Sequence, residues 1–156
     1  MPGVVIPAKH RLKIFEYLHR IRVEKLEVFL FTEGDKAVAR AMLDRGYPVP
    51  EVTGWARANT KDIDHVLALD AIKETGILMS ISDVHIQVKM GLQGRKEAEE
   101  KYLDALQYAL DHGLQTRAHL EDVTRADLEG FVYPLVQKIL ERDPNCIRRL
   151  NFDPSI

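Results

Sequence analysis

Strand-like and helix-like stretches alternate along most of this chain, and that alternation restricts the fold more than any other feature of the sequence. Short apolar or period-two segments (Val23 to Phe31, Val52 to Arg57, Ile77 to Ser82, Thr116 to Glu121) are separated by segments with apolar residues three and four apart. Repeated strand-helix units call for a parallel sheet joined by right-handed crossovers. Three consecutive helical stretches are each followed by a glycine, Gly46, Gly76 and Gly113, where a helix closes on a left-handed residue. Two architectures satisfy the pattern: an open doubly wound sheet of about five strands, or part of a (β/α)8 barrel, which typically needs about 250 residues. No G-x-G-x-x-G and no G-x-x-x-x-G-K-[ST] follows a strand, which weakens the open sheet and favours an incomplete barrel.

The individual segments carry finer expectations. Ala8 to Ile21 spaces Leu12, Phe15 and Leu18 as the core face of a first helix. In the first strand Glu27 is a carboxylate among apolar neighbours, so it needs a buried partner. Asn59 or Thr60 caps a helix with Ile63, Val66, Leu67 and Ile72 inward, ended by Gly76. The next strand is almost wholly apolar, as in a sheet covered on both faces, with Ser80 and Ser82 on one side of its end. Asp83 to Gly94, with His85 and Lys89, is the longest connection, and Thr124 with Asp127 resembles a cap for the helix holding Phe131, Leu135, Val136, Ile139 and Leu140. Cys146 to Leu150 starts one more strand.

Chemistry concentrates in Arg117 to Asp127. Alternation over Thr116 to Glu121 puts Arg117, His119 and Glu121 on one side of a strand and Thr116, Ala118 and Leu120 on the other. A cation, an imidazole and a carboxylate then converge at the carboxyl end of a strand, where α/β folds place ligands. A structural ion pair is the competing reading, because such networks satisfy buried charge equally well.

Composition removes other classes of function. The 156 residues carry a formal net charge of -2 with no basic cluster interleaved with aromatics, which excludes a nucleic-acid or acidic-lipid surface. Cys146 is the only cysteine, so there is no intrachain disulfide and no zinc knuckle, and a buried thiol in a reducing compartment is expected. No apolar run approaches the roughly 20 residues of a membrane span, and no signal-peptide pattern opens the chain; a cytoplasmic protein is expected.

Six blocks resemble, in order, the acyl-CoA condensing family of isopropylmalate, homocitrate, citramalate and Re-type citrate synthases, related to the hydroxymethylglutaryl-CoA lyases. They are Pro2-Gly3-Val4; Leu26-Glu27; Pro50-Glu51-Val52-Thr53-Gly54-Trp55 with Arg57; Glu74-Thr75-Gly76-Ile77-Leu78; Ser82-Asp83-Val84-His85 with Lys89; and Arg117 to Asp127 running into Gly130-Phe131-Val132-Tyr133-Pro134. The Trp55 and Gly130 blocks are most similar to the homocitrate and Re-citrate synthase branch.

The resemblance implies a partial acyl-CoA synthase (pyruvate carboxyltransferase-like) barrel over residues 1–156, lacking the first and the last strands. It implies an acyltransferase that deprotonates acetyl-CoA, adds the carbanion to a 2-oxo acid on a divalent metal (Mg, Mn or Zn), and hydrolyses the thioester. Carried over by position, Glu121 and His119 are catalytic, while Arg117, Glu27, Ser82, His85 and Lys89 bind substrate or coenzyme. A homo-oligomer is expected, with no nucleic acid and no membrane as partner. The family's D-x-T-L-R-D-G segment and H-x-H pair have no counterpart here: His10, His19, His65, His85, His112 and His119 contain no such spacing. Arg148 to Pro154 departs from the family's I-R-L-x-D-T-x-G run. The chain is therefore expected to be a truncated member that holds no metal by itself. The alternative is a non-catalytic α/β module that binds a small carboxylate or oligomerises.

Overall fold

A computed structural model describes residues 6–149 and 151–153, with side chains described as far as Cys146. The chain runs α1 (Ala8–Arg20), β1 (Lys25–Phe29), α2 (Glu33–Leu43), β2 (Glu51–Arg57), α3 (Thr60–Leu67), β3 (Glu74–Ser80), α4 (Arg95–Asp111), β4 (Gln115–Glu121), α5 (Tyr133–Arg142) and β5 (Asn151–Asp153). The five strands are all parallel and lie side by side in sequence order. That order separates the two architectures. A doubly wound sheet reverses direction at a switch point, whereas strands added one after another by right-handed crossovers keep their helices on one face, as in a barrel wall. This sheet is an incomplete (β/α)8 wall.

The cross-strand register sorts the residues into two faces. Val52, Ala56, Ile77, Met79, Ala118 and Leu120 belong to the helix-covered face and pack with Phe15, Val38, Ala39, Met42, Ile63, Val66, Tyr102, Leu106, Leu135 and Ile139 in one buried core. Gly54 marks how tightly a helix sits there: a Cβ on it would stand 2.6 and 2.7 Å from the methyls of Val66 on α3. The opposite, barrel-facing side carries Glu27, Thr53, Trp55, Glu74, Gly76, Leu78, Ser80, Arg117, His119 and Glu121.

Local chemistry accounts for the element boundaries. Thr32 and Asp35 form a reciprocal capping box that starts α2, and Asn59 accepts from the Asp62 N–H to start α3. Gly46 and Gly113 adopt the left-handed conformation expected after α2 and α4. Gly76 does not end α3. The helix stops at Leu67, and Gly76 lies inside β3, where the constraint on it is space rather than φ.

Two further expectations are corrected. Thr124 belongs to a 3-10 turn (Val123–Arg125), and the cap is Asp127, whose carboxylate accepts from the Gly130 N–H at the start of a π-helical turn (Leu128–Val132) leading into α5. Cys146 is buried in a 3-10 helix (Pro144–Arg149) rather than in a strand; Pro144 and the Asp143 carboxylate, which accepts from the Asn145 N–H, turn the backbone there. The β3 strand is buried on both faces as expected, with Ile77 and Met79 on the helix side and Leu78 beside Glu74, Gly76 and Ser80 on the other. Among the described residues no helix is long and apolar enough to cross a membrane.

Candidate functional site

Two groups of charged side chains occupy the barrel-facing side, both anchored on β4. The first spans four strands. Arg117 donates from Nη2 to Glu27 Oε1 on β1 at 2.5 Å and to Thr53 Oγ1 on β2 at 3.2 Å, and its Nη1 lies 3.4 Å from Glu74 Oε1 on β3. His119 Nε2 is 3.1 Å from both Arg117 Nε and Glu27 Oε1. A neutral ring accepts from the guanidinium there, and a protonated one donates to the carboxylate. Gly76 makes this approach possible, because a Cβ at that position would collide with Glu27 Oε1 and stand 2.5 Å from His119 Nε2. Burial acts to raise the Glu27 pKa, but the bond and charge from His119, and then those from Arg117, outweigh it and hold the carboxyl below its ordinary range. Glu27 thus has the partners its apolar surroundings require.

Glu74 extends the group toward the amino ends of the strands. Its side chain is only 1% exposed; Oε2 accepts from Lys25 at 2.5 Å, and Oε1 has no hydrogen bond. That buried oxygen faces Arg117 at a distance too long for a bond, so the guanidinium stands between two carboxylates and is bonded firmly to only one.

The second group sits at the carboxyl ends of β3 and β4. Glu121 accepts from Ser80 Oγ and from Lys89 Nζ at 2.6 and 2.7 Å. Lys89 and His85 come from a π-helical turn (His85–Lys89) inside the long connection before α4. His85 Nδ1 lies 3.4 Å from Glu121 Oε2, and its Nε2 lies 3.7 Å from Asp122 Oδ2. Asp122 is fully buried and left-handed at φ 66, unusual for a residue with a side chain. Ser82 donates to it at 2.5 Å and Arg125 at 2.8 and 2.9 Å, and these bonds hold the turn that aims Glu121 and His85 at each other. Burial works to raise the Glu121 pKa; the bonds from Lys89 and Ser80 more than offset it and keep the carboxyl ionised at neutral pH.

The residues singled out from sequence are therefore divided. Glu27, Arg117 and His119 come together, as do Ser82, His85, Lys89 and Glu121. The expected meeting of Arg117 with Glu121 does not occur: two residues of the same face four positions apart lie roughly 13 Å apart along a strand, and each carboxylate takes the nearer cation. Sequence reasoning overlooked Asp122 and Arg125, for which only the left-handed turn after a strand could have been a signal. It assigned Gly76 to a helix end, whereas its role depends on two other strands.

The donor set does not fit a divalent ion. Among the described residues no group of three His, Cys, Asp or Glu side chains converges as a metal site: Glu27 and His119 are both engaged by the Arg117 guanidinium, and Glu121 and Asp122, beside His85, are engaged by Ser80, Lys89, Ser82 and Arg125.

Residues 1–149 match the family described as HMGL-like. The chain is 44% identical over 135 residues to a citrate (Re)-synthase of Clostridium kluyveri, covering 83% of this chain and 29% of that protein. It is 39% identical over 122 residues to 2-phosphinomethylmalate synthase of Streptomyces hygroscopicus, covering 76% of this chain and 27% of the relative. Among solved structures, hydroxymethylglutaryl-CoA lyase from Pseudomonas aeruginosa superimposes with a TM-score of 0.57 at 16% identity, over 96% of this chain and 62% of the lyase chain, a likeness of fold. The chain thus spans less than a third of the length of either synthase.

Proposed function

The chain belongs to the HMGL-like family, and on that premise we propose that it supplies the oxo-acid side of a synthase that condenses acetyl-CoA with a 2-oxo acid and then hydrolyses the thioester. The observation that carries this reading is Arg117, a guanidinium in the middle of the barrel-facing side with a carboxylate partner on β1 and one face turned to His119. A guanidinium fork binds a carboxylate through two parallel N–H donors. A substrate carboxylate would take the place of Glu27 on Arg117, with His119 donating to the adjacent oxo group. Glu121, held ionised by Lys89, cannot give up a proton at neutral pH; it acts as an acceptor that orients Lys89 and His85, and becomes a useful base only when Lys89 moves to a ligand. The divalent metal of the family would supply Lewis-acid polarisation of the oxo group, and its ligands would have to come from polypeptide other than the described residues.

A second reading is favoured by the donor set: a module that binds a small carboxylate at Arg117 without turning it over. Free-thiol release from acetyl-CoA, with oxaloacetate and Mn2+ present and the chain extended to the length of its synthase relatives, separates the two. Release that depends on oxaloacetate supports condensation by this chain. Oxaloacetate binding without release leaves the chain as a carboxylate module, and absence of both would remove the oxo-acid reading altogether.

A further inference from the structure

Arg117 and Glu27 compete for one nitrogen of the His119 ring. Arg117 Nε and Glu27 Oε1 each lie 3.1 Å from His119 Nε2, so that atom faces a donor and an acceptor together. With the guanidinium in place a neutral ring is satisfied, its Nε2 accepting from Arg117 and its proton on Nδ1. Glu27 Oε1 is satisfied by Arg117 Nη2 at 2.5 Å. Both contacts use one edge of the guanidinium, Nε with Nη2, and such an edge grips a carboxylate through two parallel N–H groups. The remaining nitrogen, Nη1, faces Glu74, which is 1% exposed and held by Lys25, so that side is closed to a ligand. A ligand carboxylate that takes the open edge therefore withdraws two donors at once. His119 Nε2 and Glu27 Oε1 are left facing each other, lone pair against lone pair, in a site where the ring is buried. Two opposed acceptors with no donor between them are costly there.

We infer that a carboxylate binding at Arg117 brings one proton into the site with it, and that this proton settles on His119 Nε2. The imidazolium donates to Glu27 Oε1, and the resulting ion pair replaces the bonds that the guanidinium gave up. The proton sits on nitrogen because an imidazole is a stronger base than a carboxylate. The surrounding charge agrees. Among the described residues the ion pairs of Glu27 on β1 are with Arg117 and His119 alone. Glu74 on β3 lies beyond Arg117 and is balanced by Lys25 of β1, Glu121 farther along β4 is turned to Lys89, and β2 contributes the Thr53 hydroxyl. β5 brings no titratable residue at Asn151, its position in register with His119. Once the ligand neutralises Arg117, charging the ring is what answers Glu27. This inference rests on the oxo-acid reading of Arg117 and adds that substrate binding itself loads the acid. In the condensation step the electron pair of the C=O bond moves to oxygen, that oxygen takes the proton from Nε2, and the ring returns to neutral.

The test is calorimetric titration of oxaloacetate into the full 156-residue chain in phosphate and in Tris, two buffers whose different ionisation enthalpies count the protons taken up. At about pH 8 uptake should be close to one proton per oxaloacetate bound; at about pH 5, where an ordinary imidazole is already charged, it should be close to none. Affinity should therefore fall by about tenfold for each pH unit above neutrality, while the carboxyls of oxaloacetate stay ionised throughout. Ring-nitrogen shifts of His119 in isotope-labelled protein should change from the neutral to the imidazolium pattern when oxaloacetate is added at the higher pH, a readout that needs no variant. His119→Gln should bind with uptake near zero and an affinity that no longer follows pH. Glu27→Gln should also lose the uptake, because its amide donates to a neutral ring, and His10→Gln on α1 should match the wild type. Binding at about pH 8 without proton uptake, or uptake that survives His119→Gln, overturns the inference while the oxo-acid reading stands. Absence of oxaloacetate binding at both pH values overturns the two together.

Discussion

The two faces of the sheet are built from the same strands but obey different rules. On the helix-covered face, Ile77, Met79, Ala118 and Leu120 interlock with side chains from the helices, and even Gly54 is needed for fit against Val66. On the barrel-facing side, stability depends on pairings between strands, such as Glu27 with Arg117, separated by 90 residues. Apolar packing has no alternative partner, since a filled space cannot be refilled by a ligand. A charge pair can be exchanged: under the proposed function a substrate carboxylate would compete with Glu27 for Arg117. The face packed by apolar side chains is therefore distinct from the face to which substrate recognition is proposed, and substitutions on each should separate these properties.

The largest loss of stability is expected on the helix side. Leu120→Ala leaves a cavity in a fully buried site and should cost about 2–5 kcal/mol in chemical denaturation. Gly54→Ala overpacks the contact with Val66 and should cost about 1–3 kcal/mol, with no change in the pH dependence of stability. If Leu120→Ala proved milder than a substitution on the charged face, the division between the faces would be lost.

A smaller and pH-dependent effect belongs to Glu27. Its folded pKa is depressed, so its contribution is fully present above the unfolded value of about 4.3 and is lost as the pH falls through the lower folded value. Glu27→Gln should cost about 1–2 kcal/mol at pH 7 and flatten the acid limb of the stability profile. An unchanged acid limb would mean that Glu27 is not held by its partners in solution. Glu121→Gln should change stability least, within about 1 kcal/mol, because Lys89 is half exposed and regains water; in the condensation reading the same substitution abolishes most thiol release.

These assignments were unequally legible in the sequence. The alternation through β4 is a local property with period two, and it correctly set Arg117, His119 and Glu121 on one face. Glu27 could be seen to need a partner because a lone carboxylate among apolar residues is costly, but which cation answers it depends on strand order, which no local pattern carries. Gly76 was misleading for a physical reason: a glycine following an apolar helical stripe resembles a helix terminus whether it serves φ or space, and only the position of His119 on the next strand distinguishes the two. Thr124 and Cys146 failed through turn chemistry, since Asp127 and Asp143 compete for backbone N–H groups nearby.

The central claim is that the barrel-facing side binds a 2-oxo acid through Arg117, and calorimetric titration of oxaloacetate into the wild-type chain and into Arg117→Lys tests it most directly. Lysine keeps the charge but not the planar fork, so affinity should drop by about tenfold or more while the denaturation midpoint changes little. Equal oxaloacetate affinity in the two proteins would contradict the claim and leave Arg117 as a structural partner of Glu27.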